Sequence, residues 1–398
     1  MYFILGAGVS GLALAYHLLE TYPHEKVHIF EKLDRIGGRL QTYRTKEGVL
    51  LNTGGHYYAG SHTRLKHWIH RFKLRSKVKP PFEYLPSKYD RITLPKKYTA
   101  KKLYKMTPLQ VFHSSKNLNT FLWQHPYQKD WTHSNAWSFF YSLRDFRGKK
   151  YQLLPSYESL CQKMYQTLRK DYPRRFQLSK NTKITNIHWS SKKKEWTVKS
   201  ATKEWKGGKG LISTGTLPQW LEVSILRGSE KRRLRRVLGM STLFRIYVKM
   251  KPHSFFTEGK HVITDTPFSQ METIDSEKGM VEISYSSDRI AHQWNRFLQN
   301  GILKEQLEKK WKKYFPMEEA IEIEDIYPFY WKRAVHYWKP GCNPKEEMDY
   351  WSQPYKSIPY FCANEGLSLH QGWVEGSFES VEKAWEKIKL YLKIENGI

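Results

Sequence analysis

The first 31 residues carry the pattern that most restricts what this chain can fold into. A short apolar run, MYFIL, leads directly into the glycine-rich segment Gly6–Gly11, and a helical pattern, LALAYHLLETY, follows it. After a polar turn comes a second apolar run, VHIFE, which ends at Glu31, about 20 residues beyond the glycines. Apolar runs of this length are typical of buried parallel strands. The order of strand, GxGxxG, helix, strand and acid predicts a Rossmann-like unit that binds a dinucleotide.

Each position of this unit has a physical reason. Gly6 permits the tight turn, Gly8 lets the backbone approach a pyrophosphate, and Gly11 lets the helix pack closely on the sheet. Ser10 lies in the first turn of the helix, whose N-terminus would face the phosphate charge. Glu31 can accept hydrogen bonds from ribose hydroxyls. We therefore expect all five residues to belong to a cofactor site.

A second glycine-rich region after Glu31 favours flavin over nicotinamide dinucleotides. The segment EKLDRIGGRLQT contains Gly38 and Arg39, and LLNTGGHYYAG with Gly54 and Gly55 follows it. A nicotinamide site does not need the two glycines before Arg39. These glycines would bring the backbone and the arginine against a larger, more extended dinucleotide. The two segments resemble the flavin amine oxidase superfamily, which includes monoamine oxidases and protoporphyrinogen oxidases.

The resemblance returns in the second half of the chain. The stretch FQLSKNTKITNIHW is similar to a family segment in which Ile184 would lie beside the adenosine. The segment YFCANEGLSLHQGWVEGSFES resembles the block that closes the family's sequences. By this resemblance Glu365 would hydrogen-bond the ribityl or pyrophosphate region. Trp373 and Val374 would lie at a helix N-terminus whose partial positive charge faces the flavin.

The resemblance implies an α/β fold, in which a Rossmann-like FAD-binding domain of the glutathione-reductase type is interleaved with a smaller α+β substrate domain. Residues 1–75, 151–240 and 327–398 would build the FAD-binding domain. The inserts at 76–150 and 241–326 would build the substrate domain. The second insert contains alternating runs such as LFRIYVKM and then a helical pattern, which predicts a sheet backed by helices.

Four residues are candidates for the substrate end of the site. Family members that oxidise amines line it with two aromatic rings, and the resemblance assigns one ring to Trp373 and the other to Tyr337 or Trp338. Such rings attract an amine by cation–π interaction during its approach and exclude water afterwards. Many members also place a lysine near flavin N5, for which Lys260 is the nearest by position. Core packing of the rings and a solvated lysine are the alternatives.

His56 and Cys342 carry further expectations. His56, in GGHYYAG, would approach the flavin or the substrate, or else hydrogen-bond to the backbone of its loop. Members with covalent flavin use a cysteine before the closing block, but the sequence around Cys342 does not match theirs. We therefore expect non-covalently bound FAD. The histidines show no HxH or HExxH spacing, so no metal site is predicted.

Composition restricts the partners and the location. Lys and Arg outnumber Asp and Glu by 67 to 38, which gives a formal net charge of +29. This charge favours anionic small molecules and leaves contact with an acidic or membrane surface open, but no specific nucleic-acid-binding motif accompanies it. The sequence contains no uninterrupted apolar stretch of about 18 residues, so no transmembrane helix is predicted. Three cysteines without a CxxC pair favour a reducing compartment, so we expect a cytoplasmic protein that acts on a small-molecule substrate.

Three functions stay open on these observations. The first is an FAD-dependent oxidoreductase of the amine oxidase type, which moves a hydride from a CH–NH or CH–CH substrate to flavin N5. The second is a UDP-galactopyranose-mutase-like or other glycan-modifying flavoenzyme, supported by the GGHYY element and the basic insert. The third is a non-catalytic flavin-fold binding protein. The GWVEG of the closing block favours the first function, and the many special glycines argue against the third.

Overall fold

The structure is a computed structural model that describes residues 1–85, 98–112, 132–143, 148–222 and 225–395. Residues 86–97 lie outside the described residues, as does much of the first predicted insert. Of the helices within the described ranges, none has the length and apolarity needed to cross a membrane.

The strands, in chain order, are β1 (Tyr2–Leu5), β2 (Val27–Phe30), β3 (Thr42–Arg44), β4 (Leu50–Asn52), β5 (Tyr58–Ala59), β6 (Arg75–Val78), β7 (Glu83–Leu85), β8 (Lys150–Leu154), β9 (Phe176–Ser179), β10 (Asn186–Ser190), β11 (Glu195–Lys199), β12 (Glu204–Gly208), β13 (Gly210–Ser213), β14 (Leu238–Met250), β15 (His261–Thr264), β16 (Gln270–Asp275), β17 (Met280–Ser287), β18 (Ile323–Trp338) and β19 (Tyr360–Cys362).

The helices are α1 (Val9–Thr21), α2 (Thr63–Arg71), α3 (Ala100–Leu103), α4 (Pro108–Phe112), α5 (Ala136–Ser142), α6 (Glu158–Asp171), α7 (Leu217–Glu222), α8 (Gly228–Val237), α9 (Asp288–Gln299), α10 (Leu303–Tyr314), α11 (Pro344–Ser352) and α12 (Val374–Glu395).

A five-stranded parallel sheet carries the N-terminal unit, in the order β19-β13-β1-β2-β9. β1 lies at the centre and pairs with β13 and β2, as expected for an apolar run that is buried on both faces. α1 is buried along most of its length and packs against α6 and α12. The predicted order of strand, glycine-rich turn, helix and strand is therefore confirmed, and so is the mixed α/β fold.

A six-stranded sheet, in the order β18-β14-β17-β16-β15-β7, forms the second layer of the molecule. Its pairs are antiparallel except for β15 and β7. α9 and α10 follow β17 in the sequence and bury Trp294 and Trp311 in a common core with strand residues such as Phe244 and Ile283. The alternating runs after residue 240 thus form a sheet backed by helices, as their pattern predicts.

Two long strands, β14 and β18, join the two halves of the structure. Near Leu238 and Trp338 they belong to the core beside the parallel sheet, and near Met250 and Ile323 to the core under α9 and α10. The predicted domain boundaries at 240/241 and 326/327 fall inside these strands. The division into two domains therefore stays a prediction.

Candidate cofactor and active site

A cavity of about 820 Å³ lies between the carboxyl ends of the parallel strands and one face of the six-stranded sheet. Its volume lies within the range of small-molecule sites. Leu5, Phe30 and Ser213, at the ends of β1, β2 and β13, line one part of it. Tyr285 of β17 and Trp331 of β18 line the other. A ligand at the carboxyl ends of a parallel sheet is the usual arrangement in such folds.

The predicted phosphate turn opens onto this cavity. Gly6, Gly8 and Ser10 line it, and so does Gly38 on the facing loop. A Cβ atom built on Gly8 would have no atom within 4 Å, so this glycine borders open space. The backbone N–H of Gly37 donates to the carbonyl of Ala7, at 2.9 Å, and holds the two glycine-rich segments together. The turn therefore has the room and the exposed backbone that a pyrophosphate requires.

Gly11 has a different role from Gly8. A Cβ atom on Gly11 would lie 2.1 Å from the carbonyl oxygen of Gly6, and Gly6 has a φ of +110°. Gly11 does not line the cavity but lets α1 begin directly behind the turn. Gly11, the glycine predicted to allow helix packing, thus supports the phosphate turn from outside the cavity.

Glu31 and Ile184 lie at the end of the cavity beyond the turn. The carboxylate of Glu31 accepts hydrogen bonds from the backbone N–H groups of Ala7, at 2.8 Å, and Leu33, at 3.0 Å. These contacts fix the carboxylate at the carboxyl end of β2, where a ribose would reach it. Ile184 contributes an apolar surface to the same end, which suits an adenine ring.

Arg39 forms the centre of an ionic group at the cavity wall. Its guanidinium forms an ion pair with Glu365 and donates to the carbonyl of Ala334, at 2.9 Å, and to Asn364 Oδ1, at 3.2 Å. Glu365 also accepts from His336 Nδ1 at 2.8 Å. Burial alone would raise the pKa of Glu365, but Arg39 and His336 outweigh it and hold the pKa well below its ordinary value. Both carboxylate oxygens of Glu365 are therefore engaged within the protein.

Trp373 and Val374 line the cavity where α12 begins. Gly372, with a φ of +81°, turns the chain into this helix. The ring of Trp373 meets that of Tyr57 edge to face, with 5.5 Å between centres, and that of His62 at 4.8 Å. The first backbone N–H groups of α12 thus lie at the cavity, where a negatively charged group would be stabilised.

The six-stranded sheet supplies a wall that the sequence patterns did not identify. Leu243 and Arg245 of β14, Tyr285 of β17, and Trp331 and Arg333 of β18 line the cavity. The indole N–H of Trp331 donates to the carbonyl of Thr53 at 2.7 Å, which fixes this ring beside the loop that carries Gly54. The period-two spacing of Leu243 with Arg245, and of Trp331 with Arg333, was the signal available. Using this signal would require knowing which face of the six-stranded sheet points toward the parallel sheet.

Gly54, Gly55 and His56 form a loop between the two ends of the cavity. A Cβ atom on Gly54 would lie 1.8 Å from the carbonyl oxygen of Arg39, so the two loops are in close backbone contact. The carbonyl of Gly54 accepts a hydrogen bond from Arg245 at 2.6 Å. His56 is buried and presents its ring to the cavity wall.

Two buried ion pairs lie behind the sheet wall. Arg245 donates to both oxygens of Glu282, at 2.5 and 2.7 Å, and Lys79 pairs with Glu272. His56, Glu272 and Glu282 bring potential metal-ligand atoms within 4.8 Å of one another. Each carboxylate already binds a cationic side chain, so the arrangement is that of an ion-pair network.

Three of the predicted substrate residues lie away from the cavity. Trp338 is fully buried, and its indole N–H donates to the carbonyl of Ser368 at 2.8 Å. The ring of Tyr337 packs over Gly239, where a Cβ atom would lie 2.3 Å from it. Lys260 forms an ion pair with Glu83 at 3.0 Å. β18 instead brings Trp331, six residues before Tyr337, into the cavity wall.

Comparisons with known proteins agree with this arrangement. Residues 4–72 match the NAD(P)-binding Rossmann-like domain family. Over 60 residues, 15% of this chain, the sequence is 43% identical to a coproporphyrinogen III oxidase of Staphylococcus aureus. Over 73 residues, 18% of this chain, it is 40% identical to an L-amino acid oxidase of Lachesis muta. The matches span 13% and 14% of the length of these relatives.

The likeness in structure extends over the whole chain. A putrescine oxidase variant redesigned in its cofactor binding superposes with a TM-score of 0.76 and 14% sequence identity, over 98% of each chain. At a sequence identity this low, the structural likeness shows a shared fold only. The N-terminal residues thus match a dinucleotide-binding family, and the chain shares the fold of a putrescine oxidase.

Proposed function

We propose that this protein is an FAD-dependent oxidoreductase of the amine oxidase type, which takes a hydride from a carbon beside nitrogen. One observation carries the proposal: a single cavity joins the glycine-rich turns at Gly8 and Gly38 to a pocket walled by Tyr57, Trp331 and Trp373. A dinucleotide laid along this cavity would have its phosphates at the turns and its ring system beside the aromatic walls. A substrate in the remaining space would meet the ring system directly.

The residues present suit FAD held without a covalent bond. The turn at Gly8 and the N-terminus of α1 would hold the pyrophosphate, Glu31 the ribose, and the N-terminus of α12 the flavin ring. Bound FAD supplies the two-electron chemistry, and the protein supplies orientation and electrostatics. Cys342 is buried in the core beside the parallel sheet and donates to the carbonyl of Lys339 at 3.1 Å. Burial raises the pKa of this thiol to about 12, which supports non-covalent binding.

The aromatic walls would orient the substrate and exclude water. Trp331 is held by its hydrogen bond to Thr53, and Trp373 by its contacts with Tyr57 and His62. Rings held this way keep a reacting carbon near the ~3–3.5 Å approach that the transfer needs. Their faces also attract an amine by cation–π interaction.

The spectrum of the purified protein, followed by anaerobic mixing with benzylamine, putrescine, spermidine and a set of L-amino acids, tests the proposal. We expect a yellow protein whose FAD is released into the supernatant by trichloroacetic acid, and bleaching of the flavin by at least one compound. A colourless protein, or a flavin that none of the compounds reduces, would contradict the proposal. Flavin that stays with the precipitated protein would contradict only the non-covalent binding.

One observation favours the glycan-modifying alternative. The buried carboxylates behind the sheet wall already hold cations, Glu282 with Arg245 and Glu272 with Lys79, and Arg333 adds a further cation to the wall. Such a wall attracts an anionic diphosphate more than an ammonium ion. With that function, no amine would reduce the flavin, and a nucleotide sugar would react only after chemical reduction of the protein with dithionite.

A cytoplasmic location is also part of the proposal. Cys161, Cys342 and Cys362 are all buried and unbridged, which suits a reducing compartment. The partner that we propose for the cavity is a small-molecule substrate.

A further inference from the structure

His56 stands out among the residues of the cavity because one of its nitrogens faces a buried carboxylate. The ring lines the cavity between Tyr57 and Tyr285, whose ring centres lie 4.3 and 5.7 Å away. Nε2 points into the wall and lies 3.8 Å from Glu272 Oε2. Within the described part of the chain, neither of these two buried atoms has a hydrogen-bond partner. Each of these two atoms is therefore available as a hydrogen-bond partner for the other.

Glu272 is ready to accept a hydrogen bond from this imidazole. Its other oxygen forms a buried ion pair with Lys79. Burial alone would raise the pKa of Glu272, but Lys79 and His261 more than offset this, and the pKa is lowered. A shift of roughly 1 Å would bring Nε2 and the carboxylate into ordinary hydrogen-bond distance.

An ionised carboxylate opposite Nε2 selects one tautomer of the ring. The proton occupies Nε2, where it can be donated to Glu272, and Nδ1 keeps its lone pair. Since Nε2 is buried in the wall, Nδ1 is the nitrogen available to a molecule in the cavity. A histidine oriented by a buried carboxylate is a recurrent arrangement for a general base.

We propose that His56 is the proton acceptor of this site and that Glu272, held by Lys79, is the positioning residue behind it. This inference rests on the proposed amine oxidation. The electron pair of the C–H bond leaves as hydride, for which oxidised flavin is the acceptor, and the nitrogen lone pair forms the C=N bond. The N–H proton passes to His56 Nδ1, so an uncharged amine becomes an uncharged imine and His56 becomes an imidazolium. The neighbouring carboxylate of Glu272 stabilises that charge.

The charges around His56 explain why a base is needed and why this one is available. Glu282 balances the charge of Arg245, so Arg333 is the arginine that makes the wall cationic, and an iminium ion beside it would be repelled unless its proton is removed. Burial, and then the neighbouring cations, lower the pKa of His56 well below its ordinary value, so the ring is uncharged at neutral pH. The groups that face it come from four strands and one loop: Arg245, His261, Glu272, Glu282, Tyr285 and Lys79.

The tautomer can be measured without any substrate. In holoenzyme labelled with ¹⁵N-histidine, the His56 signals are assigned by their loss in the His56→Gln variant. We expect a neutral ring protonated on Nε2 at pH 7. A proton on Nδ1, or an imidazolium at pH 7, would overturn the proposal. In the double variant Lys79→Met/Glu272→Gln, which removes both charges and keeps their volume, we expect the preference for Nε2 to be lost, and an unchanged preference would count against Glu272.

Rapid mixing under anaerobic conditions tests the role in catalysis, with the amine that reduces the wild-type flavin fastest. His56→Gln should retain FAD and slow flavin reduction on the order of 10²–10⁴-fold. The matched control is His28→Gln, a buried histidine that bonds to Ser179 and does not line the cavity. Its reduction rate should stay within a few-fold of wild type. Equal rates for wild type and His56→Gln would overturn this inference alone, whereas a wild-type flavin that no amine reduces would overturn it together with the proposed function.

Discussion

At the scale of single residues, the two glycines Gly8 and Gly11 look alike in the sequence pattern but have opposite surroundings. Gly8 has φ −76° and ψ 178°, which any residue can adopt, and its missing side chain faces open cavity. Gly11 faces the carbonyl oxygen of Gly6. The proposed cofactor would account for the open space at Gly8, and the turn itself accounts for Gly11.

We therefore expect Gly8→Val to fold and to lose FAD, because the side chain fills the space where the backbone would meet the pyrophosphate. Gly11→Ala should instead lower the melting temperature of the apoprotein, because its Cβ cannot fit 2.1 Å from the Gly6 oxygen. Flavin absorbance per protein and thermal unfolding of the apoproteins separate the two effects. Full flavin content in Gly8→Val would show that the turn does not hold the cofactor.

Trp373 and Trp338 form a second pair, one in the cavity wall and one in the core. Trp373→Phe should keep FAD and slow flavin reduction at least tenfold, because the substrate is held less well. Trp338→Phe should leave the rate unchanged but cost about 1–3 kcal/mol of stability, because the carbonyl of Ser368 loses its buried donor. Urea unfolding and rapid-mixing kinetics on both variants test this pair. Slow reduction in Trp338→Phe alone would restore Trp338 as the second aromatic ring of the substrate site.

At the scale of elements, the start of α12 holds the start of α2. Glu375, in the first turn of α12, is buried and accepts hydrogen bonds from the backbone N–H groups of Arg64, at 3.2 Å, and Leu65, at 2.9 Å. These N–H groups lie in the first turn of α2, where no intrahelical partner exists. Glu382, further along α12, pairs with the Arg64 side chain at the surface.

Glu375→Ala should cost about 2–3 kcal/mol of unfolding free energy, because it leaves two backbone donors without an acceptor. Glu382→Ala, the matched control on the same helix, should cost no more than about 0.5 kcal/mol, as is usual for an exposed ion pair. Urea denaturation at pH 7 measures both. Equal losses for the two variants would show that the contact of Glu375 with α2 has no special weight.

The sequence identifies some elements of the site and not others, for a physical reason. The turn after β1 and the segment before α12 are local patterns, since neighbouring residues determine them. The assignment of the second ring to Tyr337 or Trp338, instead of Trp331, depended on the pairing of β18 with β14, which are far apart in the sequence. A slip of one residue in such a pairing turns every side chain to the other face. Tyr285, Arg245 and Trp331 therefore could be placed only by the structure.

At the scale of the whole molecule, buried histidines connect stability to pH. Burial lowers the pKa of His17 and His28 to about 4 and that of His261 to about 3. Below the ordinary value near 6.5 the unfolded chain binds protons that the folded chain does not, so stability falls as pH decreases. The buried carboxylates with lowered pKa, such as Glu365, add to this loss only below about pH 4.5.

We expect the unfolding free energy to decrease between pH 6.5 and 5, by at most about 2 kcal/mol for each buried histidine. His17, which stacks on Trp385 at 5.4 Å, offers the test. His17→Gln should show a shallower dependence than wild type in urea titrations across this range, whereas the exposed His24→Gln should follow the wild-type curve. A wild-type stability that is flat from pH 6.5 to 5 would contradict this coupling.

The bonds of Arg39 have a consequence for how the protein acquires its cofactor during synthesis. One guanidinium joins a loop near the start of the chain to Ala334, Asn364 and Glu365, so the wall of the cavity closes only after these late residues have left the ribosome. The glycine-rich turn emerges first. Until the later residues have been made, it could bind only one end of a dinucleotide. With FAD as the proposed cofactor, loading would follow the synthesis of these residues, and the supply of FAD would determine how many newly made chains reach a degradation-resistant state.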